Sequence, residues 1–151
     1  DADSDADSDA DSDDEPLVKV YAVDTTIVAG TTVEVAIAME NDVEVAGLQY
    51  MLGWDPTRMS VPDFIAAGRS VSVFEDAHSA GSSSILALLF SLTGDTLEPG
   101  DGTISIATVS VDVDTEPGEY PLTVEGVFVS DPVGIAIPSV GVSGTITVVE
   151  E

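Results

Sequence analysis

Cysteine is absent, histidine occurs once, and Lys and Arg together number 3 against 29 Asp and Glu. Each shortage removes a class of function. Without cysteine there are no disulfides, metal thiolates or thiol nucleophiles, and a single His is poor provision for zinc. Phosphate binding needs clustered cations that displace counterions. Lys19, Arg58 and Arg69 are the whole supply, so neither nucleic acid nor an anionic membrane is an expected partner. No apolar run reaches the roughly eighteen residues of a spanning helix, so membrane insertion is not expected. Aromatic residues are few, with four Phe, three Tyr and one Trp, which leaves little material for sugar-stacking platforms.

What is present divides into two parts. The 151 residues carry a formal net charge of −26, yet 44% of them are hydrophobic. Residues 1–15 hold nine of the acids and no base, so 29 less nine leaves 20 acids against 3 bases over 16–151, a net of −17. The reading is therefore an acidic segment over 1–15, a calcium-binding arm or linker, followed by one globular domain over 16–151. The chain begins at Asp1 rather than Met, which reads as a mature or trimmed fragment whose targeting segment was removed.

The acidic segment repeats Asp-Ala-Asp-Ser three times. In an extended chain Asp1, Asp3, Asp5, Asp7, Asp9, Asp11 and Asp13 share one face at roughly 6.6–6.8 Å spacing. Carboxylates so close repel and solvate the segment unless cations intervene. Calcium takes six to eight oxygen ligands, and alternate Asp residues open many calcium loops; Asp14 adds one more carboxylate. Calcium coordination and a solvated linker are both open readings. Asp112, Asp114 and Glu116 repeat the alternation later, and Asp95, Glu98 and Asp101 lie in another Gly/Pro-rich loop; either set could supply calcium ligands or form a solvated acidic edge.

From Leu17 onward apolar and polar residues alternate, the pattern of half-buried strands. Nine strands are expected, over 17–23, 32–39, 45–54, 58–61, 70–74, 84–91, 103–113, 120–130 and 143–149, with a helical turn near 62–67. Ala29-Gly30, Asn41-Asp42, Asp55-Pro56, Glu98-Pro99-Gly100, Glu116-Pro117-Gly118 and Asp131-Pro132 punctuate them. The expected fold is all-β, a two-sheet antiparallel sandwich with an extended acidic N-terminal segment. Val33, Val35, Ile37 and Met39 share one inward face; Leu48, Tyr50, Leu52 and Trp54 another; Leu122, Val124 and Phe128 a third. Residues 85–90 are apolar throughout, as in a strand covered on both sides. A change of apolar phase in 103–113 predicts a bulge near Ala107-Thr108.

Several segments together resemble the cohesin modules of bacterial and archaeal cell-surface and cellulosome scaffolds. They are Ala29-Gly30-Thr31-Thr32-Val33-Glu34-Val35, Val45-Ala46-Gly47-Leu48-Gln49-Tyr50-Met51-Leu52, Trp54-Asp55-Pro56, Gly102-Thr103-Ile104, Leu122-Thr123-Val124, Val127-Phe128-Val129-Ser130-Asp131 and Gly144-Thr145-Ile146-Thr147-Val148. The resemblance implies a nine-stranded jelly-roll sandwich, outside the cell or on its surface, that performs no chemistry and binds another protein, normally a calcium-loaded dockerin.

An enzyme is not expected. His78 with Asp76 and Ser79 or Ser82–Ser84 lies in one Ser/Gly-rich stretch with no nucleophile-elbow motif, and no carboxylate pair is marked out for glycoside hydrolysis. The expected function is a structural or interaction module with calcium-dependent self-assembly into oligomers or filaments through the Asp-rich arm, the partner being identical subunits. The alternative is a scaffold cohesin that receives a dockerin-bearing protein, and a carbohydrate-binding module is a third reading that this composition barely supplies.

Overall fold

A computed structural model describes residues 16–150. The chain runs through β1 (Val18–Ala22), β2 (Thr25–Val28), β3 (Thr32–Asn41), β4 (Gly47–Gly53), β5 (Met59–Ala66) and, after a short 3-10 turn at Gly68–Ser70, β6 (Glu75–Ala80). It continues through β7 (Ser84–Phe90), β8 (Gly100–Val111), β9 (Gly118–Ser130), β10 (Ala136–Ile137), β11 (Ser139–Val142) and β12 (Gly144–Val149). One sheet has the order β11-β1-β3-β8-β5, the other β2-β12-β9-β4-β7-β6 with β10 also on β9. This is the expected all-β sandwich. Its pairings are antiparallel except β1 with β11 and β2 with β12, which are parallel.

Those two exceptions share a cause. The chain leaves the first sheet for the second at Val23-Asp24, and again at Ser143. The two crossings lie side by side: Asp24 Oδ1 accepts the Thr145 N–H at 2.9 Å, and a Cβ on Gly144 would lie 2.6 Å from the Ala22 carbonyl oxygen. One side of the sandwich is thereby closed by strands belonging to both sheets. On the open side the edge strands β5 and β6 face each other, and Phe64 meets the His78 ring edge-on at 5.3 Å.

The inner faces follow the alternation. Val35, Ile37 and Met39 of β3, Leu48, Tyr50 and Leu52 of β4 and Leu122 and Val124 of β9 are buried, with Trp54 just beyond β4. Four strands, β2, β6, β10 and β11, were not expected from the sequence. Glu75–Ala80 reads Glu-Asp-Ala-His-Ser-Ala and carries no apolar alternation, because an edge strand needs little burial. The stretch 70–74 is not a strand although Ser-Val-Ser-Val-Phe alternates. Ser70 Oγ instead donates to or shares hydrogen bonds with the Ala67 and Ile104 carbonyls at 3.1 and 2.6 Å, and the Phe74 N–H returns to the Ser70 carbonyl. Residues 62–67 form no helical turn: β5 runs through Pro62, tolerated because β5 is an edge strand and bulges there.

Bulges set the remaining phases. Ile37 pairs with Ser105 and Ala38 with Thr103, so Ile104 is the extra residue in β8 and Ile104 and Ser105 both point inward. The phase change in β8 is real but lies at Ile104-Ser105 rather than Ala107-Thr108. It places a hydroxyl in the core, where Tyr50 Oη and Ser105 Oγ are 2.8 Å apart. On β9, Gly126 and Val127 together oppose Tyr50, with Gly126 at φ +62°, a conformation glycine adopts without strain. This bulge turns Val129 inward and Phe128 outward, reversing the expected position of Phe128.

An Arg69–Asn41 network pins the long β7–β8 connection. The guanidinium donates to the Met39 carbonyl at 2.7 Å, Asn41 Oδ1 at 2.8 Å and the Glu98 carbonyl at 2.7 Å, while the buried Asn41 amide donates to the Val43 and Glu98 carbonyls.

Two predictions follow from the hydroxyls of Tyr50 and Tyr21. Tyr50→Phe and Ser105→Ala should each cost about 1–3 kcal/mol in urea unfolding, and the double variant less than their sum; strictly additive costs would show that the pair is not coupled. Burial holds the Tyr50 phenol well above its ordinary value. Tyr21, which donates to Asp101 Oδ1 at 2.7 Å, is raised to about 12 by that hydrogen bond, then by burial and the carboxylate charge. Both ionise near 10 when unfolded, so the stability they contribute is complete below pH 10 and is lost as pH rises toward 12. Urea midpoints should fall over that interval, and fall less in Tyr50→Phe.

Candidate binding surface

Strands of a sandwich ordinarily present polar side chains outward. The sheet containing β11, β1, β3, β8 and β5 does so with Lys19, Tyr21, Glu34, Glu40, Thr108 and Asp63, interrupted by Val140 and Val142 at the β11 edge and by Ile106 and Ile65 toward the β5 edge. The outer face of β6, β7, β4 and β9 departs from this rule. The strand register arranges it in rows. Ala77, Leu88, Gln49 and Phe128 lie side by side; next come Ser79, Leu86, Met51 and Glu125; on the other flank are Glu75, Phe90, Gly47 and Ser130. Leu86, Leu88, Met51 and Phe128 are 41, 41, 42 and 52% exposed. β7 is therefore covered on its inner side only, and the expectation that both its sides are buried is corrected.

Leu86 and Leu88 form a ridge between two shallow depressions. One, of about 210 Å³, is bounded by Leu88, Gln49 and Phe128; the other, of about 260 Å³, by Ala77, Ser79, Leu86 and Leu88. Exposed apolar groups that are contiguous across strands, rather than scattered, mark interaction surfaces.

At the Gly47 end, two loops extend this face with apolar tips: Leu92 follows β7, and Val133 and Ile135 follow β9, at 75, 77 and 62% exposure. Both loops are internally braced. Ser91 Oγ accepts the Thr93 and Asp95 N–H groups, and Asp131 Oδ1 accepts those of Val133 and Ile135 at 3.0 and 2.9 Å. Such Asx and Ser turns fix the backbone without burying the side chains they carry. The opposite end of the face is small and polar, with Gly53, Ser84 and Thr123.

The residues singled out for metal or catalysis are not gathered in this way. Asp1, Asp3, Asp5, Asp7, Asp9, Asp11, Asp13 and Asp14 lie outside the described residues. Asp112, Asp114 and Glu116 are all exposed in the β8–β9 connection. Among the described residues no three His, Asp or Glu side chains come together as a metal-holding group. Asp95 and Asp101 are likewise separate, the first hydrogen-bonded to Thr93 and the second to Tyr21. His78 Nδ1 is 3.3 Å from Asp76 Oδ1, but the two point toward the sandwich interior while Ser79 points to the outer face. No nucleophile, base and orienting acid are assembled there. Tyr50 is core, as the alternation implies, and Trp54 is buried with it.

Sequence reasoning missed the surface itself. The available signals were an all-apolar β7 in a fold whose long strands otherwise alternate, and a glycine inside β9.

No protein-family model and no curated protein matches the sequence. Solved structures do match in shape. A non-cellulosomal cohesin from the hyperthermophilic archaeon Archaeoglobus fulgidus superposes with a TM-score of 0.76 at 17% identity, covering 88% of this chain and 91% of that one. The seventh ScaB type I cohesin from Pseudobacteroides cellulosolvens gives 0.76 at 18%, over 89 and 94% of the two chains. The OlpC cohesin in a type I cohesin–dockerin complex from Clostridium thermocellum gives 0.78 at 17%, over 91 and 96%. Across these likenesses the described domain has the cohesin fold, a jelly-roll β-sandwich.

Proposed function

We propose that this chain is a non-catalytic docking module, secreted or displayed at a cell surface, which binds a dockerin-bearing protein through the outer face of β6, β7, β4 and β9. The observation that carries this reading is the contiguous apolar grid of Leu86, Leu88, Met51 and Phe128 on a hydrogen-bonded sheet. A preformed surface of this kind binds without first ordering its own backbone. Support comes from the solved cohesins of the same fold, several of which are complexes with dockerins. These favour a dockerin-bearing partner over the identical subunits expected from the sequence.

Calcium binding by Asp1, Asp3, Asp5, Asp7, Asp9, Asp11, Asp13 and Asp14 rests on their alternation alone and is a separate proposal. Calcium titration by calorimetry should give heat with the full chain and little with a chain lacking residues 1–14. Equal heats would overturn it.

The docking reading is tested with a panel of calcium-loaded dockerin modules. At least one should bind the chain one-to-one, and Leu88→Ser with Phe128→Ser should weaken that binding by about 30-fold or more, the effect of a central contact. The urea midpoint should be nearly unchanged because both side chains are already half-exposed, and Ile65→Ser on the opposite sheet should leave binding intact. Binding that survives the double substitution, or a panel with no binder, defeats the reading.

A further inference from the structure

Sulfur occurs in this chain at three atoms only, in Met39, Met51 and Met59, since cysteine is absent. The fold treats the three unequally. Met39 and Met59 are core residues at 0 and 1% exposure, while Met51 is 42% exposed on the outer face of β4. Within the apolar grid Met51 stands between Leu86 of β7 and Glu125 of β9. The next outward position along β4 is Gly53, which has no side chain to cover it. Leu86, Leu88 and Phe128 are hydrocarbon and inert toward mild oxidants, so the Met51 thioether is the reactive member of the grid.

We propose that Met51 is a site of reversible oxidation by peroxides, and that its sulfoxide switches the outer face from apolar to polar. The sulfur lone pair attacks one peroxide oxygen, and an S–O bond forms as the O–O bond breaks. The departing hydroxide takes the proton from the new S–OH and leaves as water; sulfur loses two electrons and the peroxide gains them. The product exchanges a flexible apolar group for a polar acceptor in the middle of the grid. A partner covering it must strip that acceptor of water, and the neighbouring Glu125 carboxylate, itself an acceptor, offers no donor in return. Core packing is untouched, because Met51 lies on the outward phase of β4. The effect on a partner rests on the docking reading; the oxidation itself does not.

The intact chain is treated with dilute hydrogen peroxide and followed by peptide mass spectrometry. Met51 should be oxidised about tenfold or more faster than Met39 and Met59, which react only when the core opens. The singly oxidised chain should leave a hydrophobic-interaction column earlier than the untreated chain, with an unchanged urea midpoint. Methionine sulfoxide reductases for both epimers should restore the original retention. Dockerin affinity should fall about tenfold on oxidation and recover on reduction. In Met51→Leu neither retention nor dockerin affinity should respond to peroxide. Oxidation of Met39 or Met59 as fast as Met51, unchanged retention, retention that the reductases do not restore, or a peroxide response that persists in Met51→Leu would each overturn the proposal. A dockerin lost with Leu88→Ser and Phe128→Ser but indifferent to the sulfoxide would overturn the switch and leave the docking reading intact. A panel with no binder would defeat the docking reading, while retention and its recovery would still decide the oxidation site.

Discussion

A side chain on a strand has two directions available, and every residue's direction is tied to its neighbour's. The sandwich depends on that constraint. Once Val35, Ile37 and Met39 are committed to the interior, Glu34 and Glu40 are committed to solvent. The only device that can break the tie without ending the strand is a bulge. This domain uses bulges at three pairings, β3 with β8, β4 with β9 and β5 with β8. In β8 the extra residue admits a hydroxyl to the core for Tyr50. In β9 it exchanges Phe128 for Val129, so one aromatic ring leaves the interior and joins the exposed grid. Core and exposed apolar face are thus fixed by the same local event at Gly126.

The second organising element is the double crossing at Val23-Asp24 and Ser143. By carrying β1 into β2 and β11 into β12, it ties the two sheets along one side through the continuous chain and the Asp24–Thr145 hydrogen bond as well as by side-chain packing. The exposed apolar face lies on the strands toward the opposite side, bordered by the edge strand β6. The Arg69–Asn41 network acts on the same region from beneath. It fixes residues 97–98 against the end of β3, leaving the braced tip with Leu92 as the free portion of that connection.

Period-two alternation revealed the parts of the fold that bury residues on one side only. The inward sets on β3 and β4 are as the sequence implies, and the cohesin resemblance agrees in fold with the superposed structures. Alternation failed where burial was not the cause of structure. β6 is a strand because β7 offers it hydrogen bonds, not because it has an apolar face. Residues 70–74 alternate by coincidence while Ser70 bonds the backbone of a turn. β7 was legible as a strand but not as a surface, since an apolar residue looks the same in sequence whether another protein or its own core covers it. Carboxylate spacing likewise cannot show convergence, and Asp112, Asp114 and Glu116 are near in sequence without forming a cage.

On β4, β7 and the last residues of β9, positions that hold the domain together are interleaved one by one with positions on the outer face. Leu48, Tyr50 and Leu52 belong to the first set, Gln49 and Met51 to the second. The strand is in effect two independent texts written on alternate letters. Substitutions can rewrite the outer text while the inner text goes untouched. Loss or gain of one residue within these strands, unless a bulge absorbs it, would transpose the two texts, converting outer surface to core and core to surface in one step. Change of the outer face is therefore open to this domain by replacement of residues, and costly to it by change of length inside the sheet.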